Sequence, residues 1–151
     1  MPAPPRPAPV IEIRDALPSD TQELSKLLAQ LGYPVDAAEL PARIERFVSR
    51  GNGRVLVAVE GETIVGFAAL ELTFPIHHAH PVAHLSAFAI SESSRRRGVG
   101  RILLSALESA ARREGCQRVV VTSAERRADA HLFYPAAGYS YTGRRFGKEL
   151  D

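Results

Sequence analysis

The stretch Arg95-Arg96-Arg97-Gly98-Val99-Gly100-Arg101 decides the fold, because it joins a strand-like segment to a helix-like one. The preceding residues 85–90 are almost all apolar, which is typical of a buried strand. Over residues 98–114, apolar side chains recur at helical spacing, and Gly115 ends that pattern. Glycines let an anion approach the backbone, the first amides of a helix lack an internal acceptor, and arginines add positive charge. The sequence therefore predicts a phosphate-binding loop.

Three phosphate-binding motifs can be compared with this loop. The P-loop of nucleoside triphosphatases needs Gly-Lys-Ser/Thr, and neither the lysine nor the hydroxyl is present. A dinucleotide-binding loop needs a third glycine at the position of Leu103. The pattern Arg/Gln-x-x-Gly-x-Gly/Ala after a strand is matched by Arg95, Gly98 and Gly100. Taken alone, this short pattern is also compatible with a basic turn before a surface helix.

Composition excludes several classes of protein. The chain of 151 residues carries 19 Lys and Arg against 17 Asp and Glu, so its net charge of +2 does not favour nucleic acid as a partner. Its single cysteine, Cys116, rules out an internal disulfide, and we expect a small buried residue in a cytoplasmic protein. No apolar run is long enough to span a membrane, and we expect no membrane partner. Residues 1–9 are interpreted as a disordered Pro-rich tail, and residues 10–151 as one domain.

The order of elements predicts an α+β fold with a mixed sheet of six to seven strands and about four helices. Asp20 is a plausible N-cap of the first helix, and Pro41 is placed near the start of the second, where proline is best tolerated. A crossover through the helix after the basic loop makes part of the sheet parallel. Strands are predicted over 10–14, 54–59, 63–72, 82–90, 118–122, 138–142 and 144–150, and helices over 20–31, 36–51, 98–114 and 127–136.

A second motif follows late in the chain, Ala130-His131-Leu132-Phe133-Tyr134-Pro135-Ala136-Ala137-Gly138-Tyr139. Together with the basic loop, in this order and spacing, it resembles the GCN5-related N-acetyltransferase (GNAT) family over residues 10–150. The segments 127–134, 31–33 and 145–150, with the histidine-rich loop 77–80, are similar to aminoalkylphosphonate N-acetyltransferases and other small-amine relatives. The resemblance implies the acyl-CoA N-acyltransferase fold and acetyl-CoA as cosubstrate.

The resemblance also implies where the coenzyme binds. Backbone groups of the strand before the loop, at Phe88, Ala89 and Ile90, would contact the pantetheine arm. The loop would hold the pyrophosphate on its backbone amides, with side-chain charge added by Arg95 and Arg96. The amides expected to contribute are those of Arg97, Gly98, Val99, Gly100 and Arg101.

The catalytic residues are predicted in the same way. Tyr134 matches the tyrosine that protonates the departing thiolate in the family, the alternative being an ordinary core aromatic residue. Many relatives carry a glutamate on the strand before the loop, but residues 82–90 contain no acidic residue, and His84 and Ser86 take the alternate positions. His84 is the natural substitute, since an imidazole titrates near neutral pH. A water chain, or a merely half-exposed strand histidine, is the alternative.

The acceptor amine is expected between the two early helices and the histidine-rich loop. Arg43 and Arg46 are interpreted as exposed helix charges, or as contacts for an anionic amine. The histidines could hold a divalent metal such as zinc or nickel, but no nearby carboxylate or cysteine completes a site, so we predict no metal. Residues proposed to contact the acceptor are Tyr33, His78, His80, Ser86 and His131.

The sequence thus favours transfer of an acetyl group from acetyl-CoA to the primary amine of a small molecule, by direct attack in a ternary complex. One alternative is acetylation of a protein lysine or N-terminus. Another is a non-catalytic acyl-CoA-binding regulatory module, an alternative that would account for the missing carboxylate. The resemblance also allows a homodimer, which is common in the family.

Overall fold

A computed structural model describes residues 1–5, 10–122 and 128–151 of the chain. Their contacts divide into two compact units, residues 1–120 and 121–151, and each unit is described by itself. Residues 6–9 of the predicted tail and Arg127, the predicted first residue of the last helix, lie outside the described part. The helices within that part are all too short or too polar to traverse a lipid bilayer.

The first unit is built on a mixed five-stranded sheet with the strand order β1-β2-β3-β4-β5. The pairs β1–β2, β2–β3 and β3–β4 are antiparallel, and β4 and β5 are linked by the crossover helix predicted from the sequence. Short 3-10 turns occupy Pro18–Asp20 and Glu92–Ser94. The strands are β1 Ile11–Asp15, β2 Gly53–Glu60, β3 Thr63–Thr73, β4 Val82–Ile90 and β5 Arg118–Val121, and the helices are α1 Thr21–Gln30, α2 Leu40–Ser49 and α3 Val99–Arg113.

The two faces of the sheet are covered by different helices. On one face, alternate strand residues such as Val57 and Phe67 pack with α1 residues such as Leu24 in a single apolar core that also includes α2. On the other face, Leu56 of β2 lines a cleft together with Ala110 of α3. This alternation follows from the two-residue period of a strand, and it separates the α1/α2 face from the α3 face.

The helix boundaries differ slightly from those predicted. Helix α2 begins at Leu40 and not at residue 36, because residues 36–39 form a turn in which Asp36 accepts the amide of Ala38 and the amide of Glu39. Pro41 then stands in the first turn of the helix, where a missing amide hydrogen costs least. Cys116 is buried as expected, and burial raises the pKa of its thiol.

The second unit contains α4, Ala128–Ala136, and no strand in residues 137–151. The predicted strands 138–142 and 144–150 are therefore wrong, and the described sheet has five strands instead of six or seven. Nearly every residue after Tyr139 is exposed, including Tyr141, Phe146 and Leu150. The alternation of Tyr139 and Tyr141 with polar residues resembles a strand, but a strand also needs a neighbour for its backbone hydrogen bonds.

Asp20 stabilises the entry to α1 in an unexpected way. Its carboxylate makes no capping bond to α1, and instead accepts the Leu17 amide at 2.6 Å. It also receives two bonds from the Arg14 guanidinium, at 2.7 and 3.1 Å. The predicted cap thus closes the preceding 3-10 turn and ties it to β1. The hydrogen bond from Arg14, with help from the Leu17 amide, holds the pKa of the nearly buried Asp20 carboxyl below its usual value.

We predict that Asp20→Asn lowers the free energy of unfolding by about 1–3 kcal/mol at neutral pH, the range for hydrogen bonds to charged groups. Because the folded pKa is depressed, this stabilisation is complete above the unfolded pKa of about 3.9 and is lost as the pH falls through the folded value. Urea unfolding of both proteins between neutral and strongly acidic pH measures the difference, which should shrink in acid. The control is Asp15→Asn, since the Asp15–Arg54 pair is exposed and should matter little. Equal losses in the two variants would contradict the prediction.

Candidate functional site

The basic loop before α3 has the backbone shape of an anion site. Arg96 and Gly98 both adopt left-handed conformations, with φ of 61° and 83°. Gly98 is the residue immediately before α3, and its carbonyl accepts the first helical bond, from the Ile102 amide at 3.2 Å. The amides of Val99 and Gly100 precede that bond and so have no acceptor within the helix. Alternation with left-handed residues turns successive amides toward one side, which makes a concave site for an anion.

The three consecutive arginines, Arg95 to Arg97, have different environments. Arg97 donates two hydrogen bonds to the Glu60 carboxylate, at 2.8 and 3.0 Å, and lowers the pKa of Glu60. Its side chain thereby ties the loop to the turn between β2 and β3. Arg95 and Arg96 are exposed and form no ion pair with the residues that the structure describes. Arg95 and Arg96 could therefore add side-chain charge to an anion at the loop.

Gln30, which the sequence analysis missed, connects α1 to the start of the loop. Its side-chain amide donates to the Ile90 carbonyl at 2.8 Å, and its side-chain oxygen accepts the Glu92 amide at 3.3 Å. One side chain thus satisfies a donor and an acceptor where β4 ends and the chain turns. No local pattern marks this role, since the partners are 60 and 62 residues away in sequence.

Gly66 in β3 is the other missed residue, and it allows the end of β4 to lie close. A Cβ atom at Gly66 would lie 2.7 Å from the Ile90 Cδ1 atom and 3.0 Å from the Ala89 carbonyl oxygen. The adjacent Val65 carbonyl accepts the Ser91 amide at 2.8 Å. A side chain at position 66 would therefore force the Ile90 side chain to move and would press on the backbone at the end of β4.

A bulge in β4 changes which side chains share a face. Ala69 of β3 is opposite Ala87, but the next residue, Leu70, is opposite Leu85, so Ser86 is the extra residue. Ser86 is exposed, and its hydroxyl donates to the Ala69 carbonyl at 3.3 Å. Beyond the bulge the alternation is shifted by one residue. His84 consequently lies on the α1/α2 face, together with Ala87.

The same register places a carboxylate opposite His84. Glu71 of β3 is the cross-strand partner of His84 in β4, and both residues are half-buried. Directly opposed side chains have Cβ atoms about 4.5–5.5 Å apart, which is close enough for an imidazole and a carboxylate to interact. The sequence of β4 contains no carboxylate, but the pairing with β3 supplies one beside His84.

Glu71 also lines an open cleft of about 350 Å³ on the α1/α2 face. The other lining residues are Arg46, Phe47 and Arg50 at the end of α2, and Asn52 in the turn that follows. The Asn52 side chain donates to the Leu72 carbonyl at 3.3 Å, which fixes that turn against β3. Arg43 does not line the cleft, and pairs at 2.8 Å with Glu39 one helical turn away.

Tyr134 belongs to the second unit, where it is buried in α4. Its ring packs edge-on against Phe133 and Tyr139, with centroids 5.3 and 5.8 Å away. The backbone of Tyr139 donates to the Tyr134 carbonyl at 3.0 Å, which closes the helix end. His131, in the same helix, is exposed.

The remaining predicted acceptor contacts are exposed residues of the first unit. Tyr33 follows α1 and is 54% exposed. His78 and His80 lie in the exposed loop between β3 and β4, where the rings of His77 and His78 are 4.5 Å apart. Within the described residues, the structure brings no three His, Cys, Asp or Glu side chains together as a metal site.

Comparison with known proteins identifies the family. The model of the acetyltransferase (GNAT) family matches residues 20–139. The aminoalkylphosphonate N-acetyltransferase of Salmonella typhimurium is 28% identical over 94% of this chain and 93% of that protein. The aminoglycoside N(6')-acetyltransferase type 1 of Stenotrophomonas maltophilia is 30% identical over 87% of this chain and 88% of that protein. The solved structure of the aminoglycoside N-acetyltransferase AAC(6')-Iy in complex with CoA is 19% identical and shares the fold, with a TM-score of 0.83 over 98% of this chain and 99% of that one. The chain belongs to the acetyltransferase (GNAT) family and is an acetyl-transferring enzyme.

Proposed function

We propose that this enzyme transfers the acetyl group of acetyl-CoA to the primary amine of a small molecule, by direct attack in a ternary complex. The observation that carries the proposal is the left-handed Gly98 immediately before α3, where the first helical amides have no acceptor within the helix. Membership of the acetyltransferase family makes the diphosphate of acetyl-CoA the anion that this site would take.

The coenzyme is proposed to lie along the end of β4 and over the loop. Its pantetheine arm would run beside Phe88, Ala89 and Ile90, in the manner of an added strand. The Ile90 carbonyl accepts the Gln30 side-chain amide, and because a carbonyl oxygen has two lone pairs it can accept a second hydrogen bond from the arm. The diphosphate would bind the amides from Arg97 to Arg101, with side-chain charge from Arg95 and Arg96.

The reaction needs a base for the acceptor and an acid for the leaving group. The acceptor ammonium first loses a proton, for which His84 is the proposed base. The amine lone pair then forms the C–N bond to the acetyl carbon, the C–S bond breaks, and its electron pair leaves with the sulfur. The nitrogen loses a second proton, which balances the one that the thiolate gains. Tyr134 is the proposed donor to that thiolate. The products are an acetamide and the free coenzyme thiol, with one proton released to solvent.

A small-molecule acceptor is favoured by the relatives. The names of the two curated relatives describe acetylation of small amines, an aminoalkylphosphonate in one case and an aminoglycoside in the other. The alternative of a non-catalytic acyl-CoA-binding module was based on the missing carboxylate of β4. Glu71 of β3, opposite His84, supplies a carboxylate next to that strand. Membership of the acetyltransferase family already identifies the chain as an acetyl-transferring enzyme, so a purely regulatory role is set aside.

Release of the coenzyme thiol from acetyl-CoA tests the proposal directly. The purified full chain is assayed with a panel of small primary amines, and mass spectrometry identifies the acetylated product. We expect release that depends on the amine and gives one acetamide per thiol. Tight binding of acetyl-CoA, measured by calorimetry, without turnover on any amine or on a lysine-containing peptide would overturn the catalytic proposal. Turnover on the peptide alone would favour a protein acceptor.

We predict that Gln30→Met weakens acetyl-CoA binding about fivefold. The substitution keeps the length of the side chain but removes its hydrogen bonds to the Ile90 carbonyl and the Glu92 amide. The loop should then be less ordered before the coenzyme binds, which should weaken the free energy of binding by about 1 kcal/mol. Calorimetric titration with acetyl-CoA gives the change. Gln22→Met is the matched control, since Gln22 is an exposed residue of the same helix. An unchanged Kd for Gln30→Met would show that the clamp does not order the coenzyme site.

A further inference from the structure

We infer that the cleft between the end of α2 and the sheet is the acceptor site, and that it selects a primary amine carrying an anionic group. This inference rests on the proposed function and names the acceptor that the proposed reaction would use. The ammonium would bind Glu71, beside His84, and the anionic group would bind Arg46 and Arg50.

Strand β4 connects the coenzyme loop to the residues beside the cleft. β4 ends at Ile90, where the coenzyme loop begins, and runs antiparallel to β3. Going back along β4 from that end, the chain reaches the bulge at Ser86 and then His84, opposite Glu71. The carboxylate that lines the cleft is therefore one bulge away from the strand segment proposed to hold the pantetheine arm. An acceptor in the cleft would lie beyond the end of that arm.

The lining of the cleft carries more positive than negative charge. Two guanidinium groups, Arg46 and Arg50, face one carboxylate, Glu71, so the lining carries a net positive charge. The two arginines are four residues apart and thus lie on one side of the helix. Arg50 caps the carboxyl end of α2, where the helix dipole favours a cation. Neither arginine forms an ion pair with another residue in the described part of the chain.

The positive and negative groups of the cleft belong to different elements of the fold. Glu71 projects from the sheet, whereas both arginines belong to the end of the helix that lies over it. The half-buried Phe47 adds an apolar surface among them. A compact molecule with an ammonium at one end, a short carbon linker and an anion at the other would satisfy both ends. A polycation would place charge against the arginines, which is unfavourable.

The ammonium end is also the reacting end. Glu71 would hold the ammonium by a charge-assisted hydrogen bond, and the neighbouring His84 would take one of its protons. The freed lone pair then attacks the acetyl carbon and the thiolate departs, as described above. Glu71 is assigned the role of binding and orienting the acceptor, so its loss should affect every amine, whereas loss of an arginine should affect only anionic ones.

A series of two-carbon amines tests the selectivity. Thiol release is measured with aminoethylphosphonate, β-alanine and taurine as anionic acceptors, ethanolamine as the neutral one and ethylenediamine as the cationic one. We expect kcat/KM for the best anionic amine to exceed that for ethanolamine about tenfold or more, with ethylenediamine poorest. Efficiency for ethanolamine or ethylenediamine equal to or above that of all three anionic amines would overturn the inference and leave the proposed function standing.

Variants locate the effect in the cleft. Arg46→Gln and Arg50→Gln should each raise KM for the best anionic amine about tenfold, with kcat and the ethanolamine constants unchanged. Arg43→Gln, on the same helix but paired with Glu39 outside the cleft, should change nothing. An equal effect of all three variants, or no effect of the cleft pair, would overturn the assignment.

Glu71→Gln should lower kcat/KM about tenfold for ethanolamine and for the anionic amines alike, without changing the Kd of acetyl-CoA. Glu71→Asp should recover part of the activity, and Glu62→Gln, in the exposed β2–β3 turn, should be neutral. Normal activity of Glu71→Gln would contradict its role. If no amine supports thiol release, the proposed function fails. Calorimetry with aminoethylphosphonate then tests, without any reaction, whether the cleft binds an anionic amine. Weaker binding to Arg46→Gln than to the parent protein would support the binding site, and unchanged or undetectable binding would overturn it.

Discussion

Replacing Tyr134 by phenylalanine is expected to lower kcat about a hundredfold while leaving the affinity for acetyl-CoA unchanged. A positioned acid typically contributes on the order of a hundredfold or more when the departing group must be protonated. Tyr134 is 7% exposed, its ring packs edge-on against Phe133 and Tyr139, and phenylalanine keeps these contacts. Only the hydroxyl is lost, so a fall in kcat would report on chemistry rather than on folding.

The measurement combines thiol release under saturating acetyl-CoA with calorimetric titration of the coenzyme. Tyr141→Phe is the control, because Tyr141 is 82% exposed and loses the same hydroxyl. A parallel fall in kcat and in the melting temperature of Tyr134→Phe would indicate a structural role. A kcat within about threefold of the parent would remove Tyr134 from the reaction, since that is far below the contribution of a general acid.

The loop and its helix were predictable because their signals are local. Gly98 stands where the chain must adopt a positive φ, and the apolar spacing that follows fixes α3 within one residue of the prediction. The role of Arg97 was not predictable in the same way. Its partner, Glu60, is 37 residues earlier, and only the packing of the β2–β3 turn beside the loop brings the two together.

The candidate acceptor site shows a different limit of sequence reasoning. Strict alternation would put His84 and Ser86 on one face, yet the bulge at Ser86 breaks the alternation between them. Glu71 becomes a partner of His84 only through the register of β3 and β4. A sequence contains the carboxylate and the imidazole, but the pairing of strands decides which of them meet.

The C-terminal segment was mispredicted for a related reason. Tyr139 and Tyr141 alternate with polar residues in a way that favours a strand, but local pattern does not supply a neighbouring strand. Asp20 is an intermediate case, because the residue type was correctly associated with the start of α1. Its actual partners, Leu17 and Arg14, come from the preceding turn and from β1.

Replacing Gly98 by alanine is expected to raise the Kd of acetyl-CoA about a hundredfold. A φ of 83° costs an L-residue about 1–2 kcal/mol, and alanine at this position would relieve that strain by turning to a negative φ. Such a rotation would redirect the amides of Gly98 and Val99, which are proposed to bind the diphosphate. Each charge-assisted bond is worth about 1.5–3 kcal/mol, so the loss of even one or two accounts for a hundredfold change.

A glycine at the other end of the same helix separates this effect from simple destabilisation. Gly115 has a φ of 85°, and an added Cβ would meet no atom within 4 Å at either Gly98 or Gly115. Gly98→Ala and Gly115→Ala should therefore lose similar stability, measured by thermal unfolding without ligand. Only Gly98→Ala should lose coenzyme affinity in calorimetric titration, because Gly115 follows the carboxyl end of α3. Equal affinities in the two variants would mean that the left-handed turn before α3 does not aim amides at the coenzyme, and the proposed binding mode would have to be abandoned.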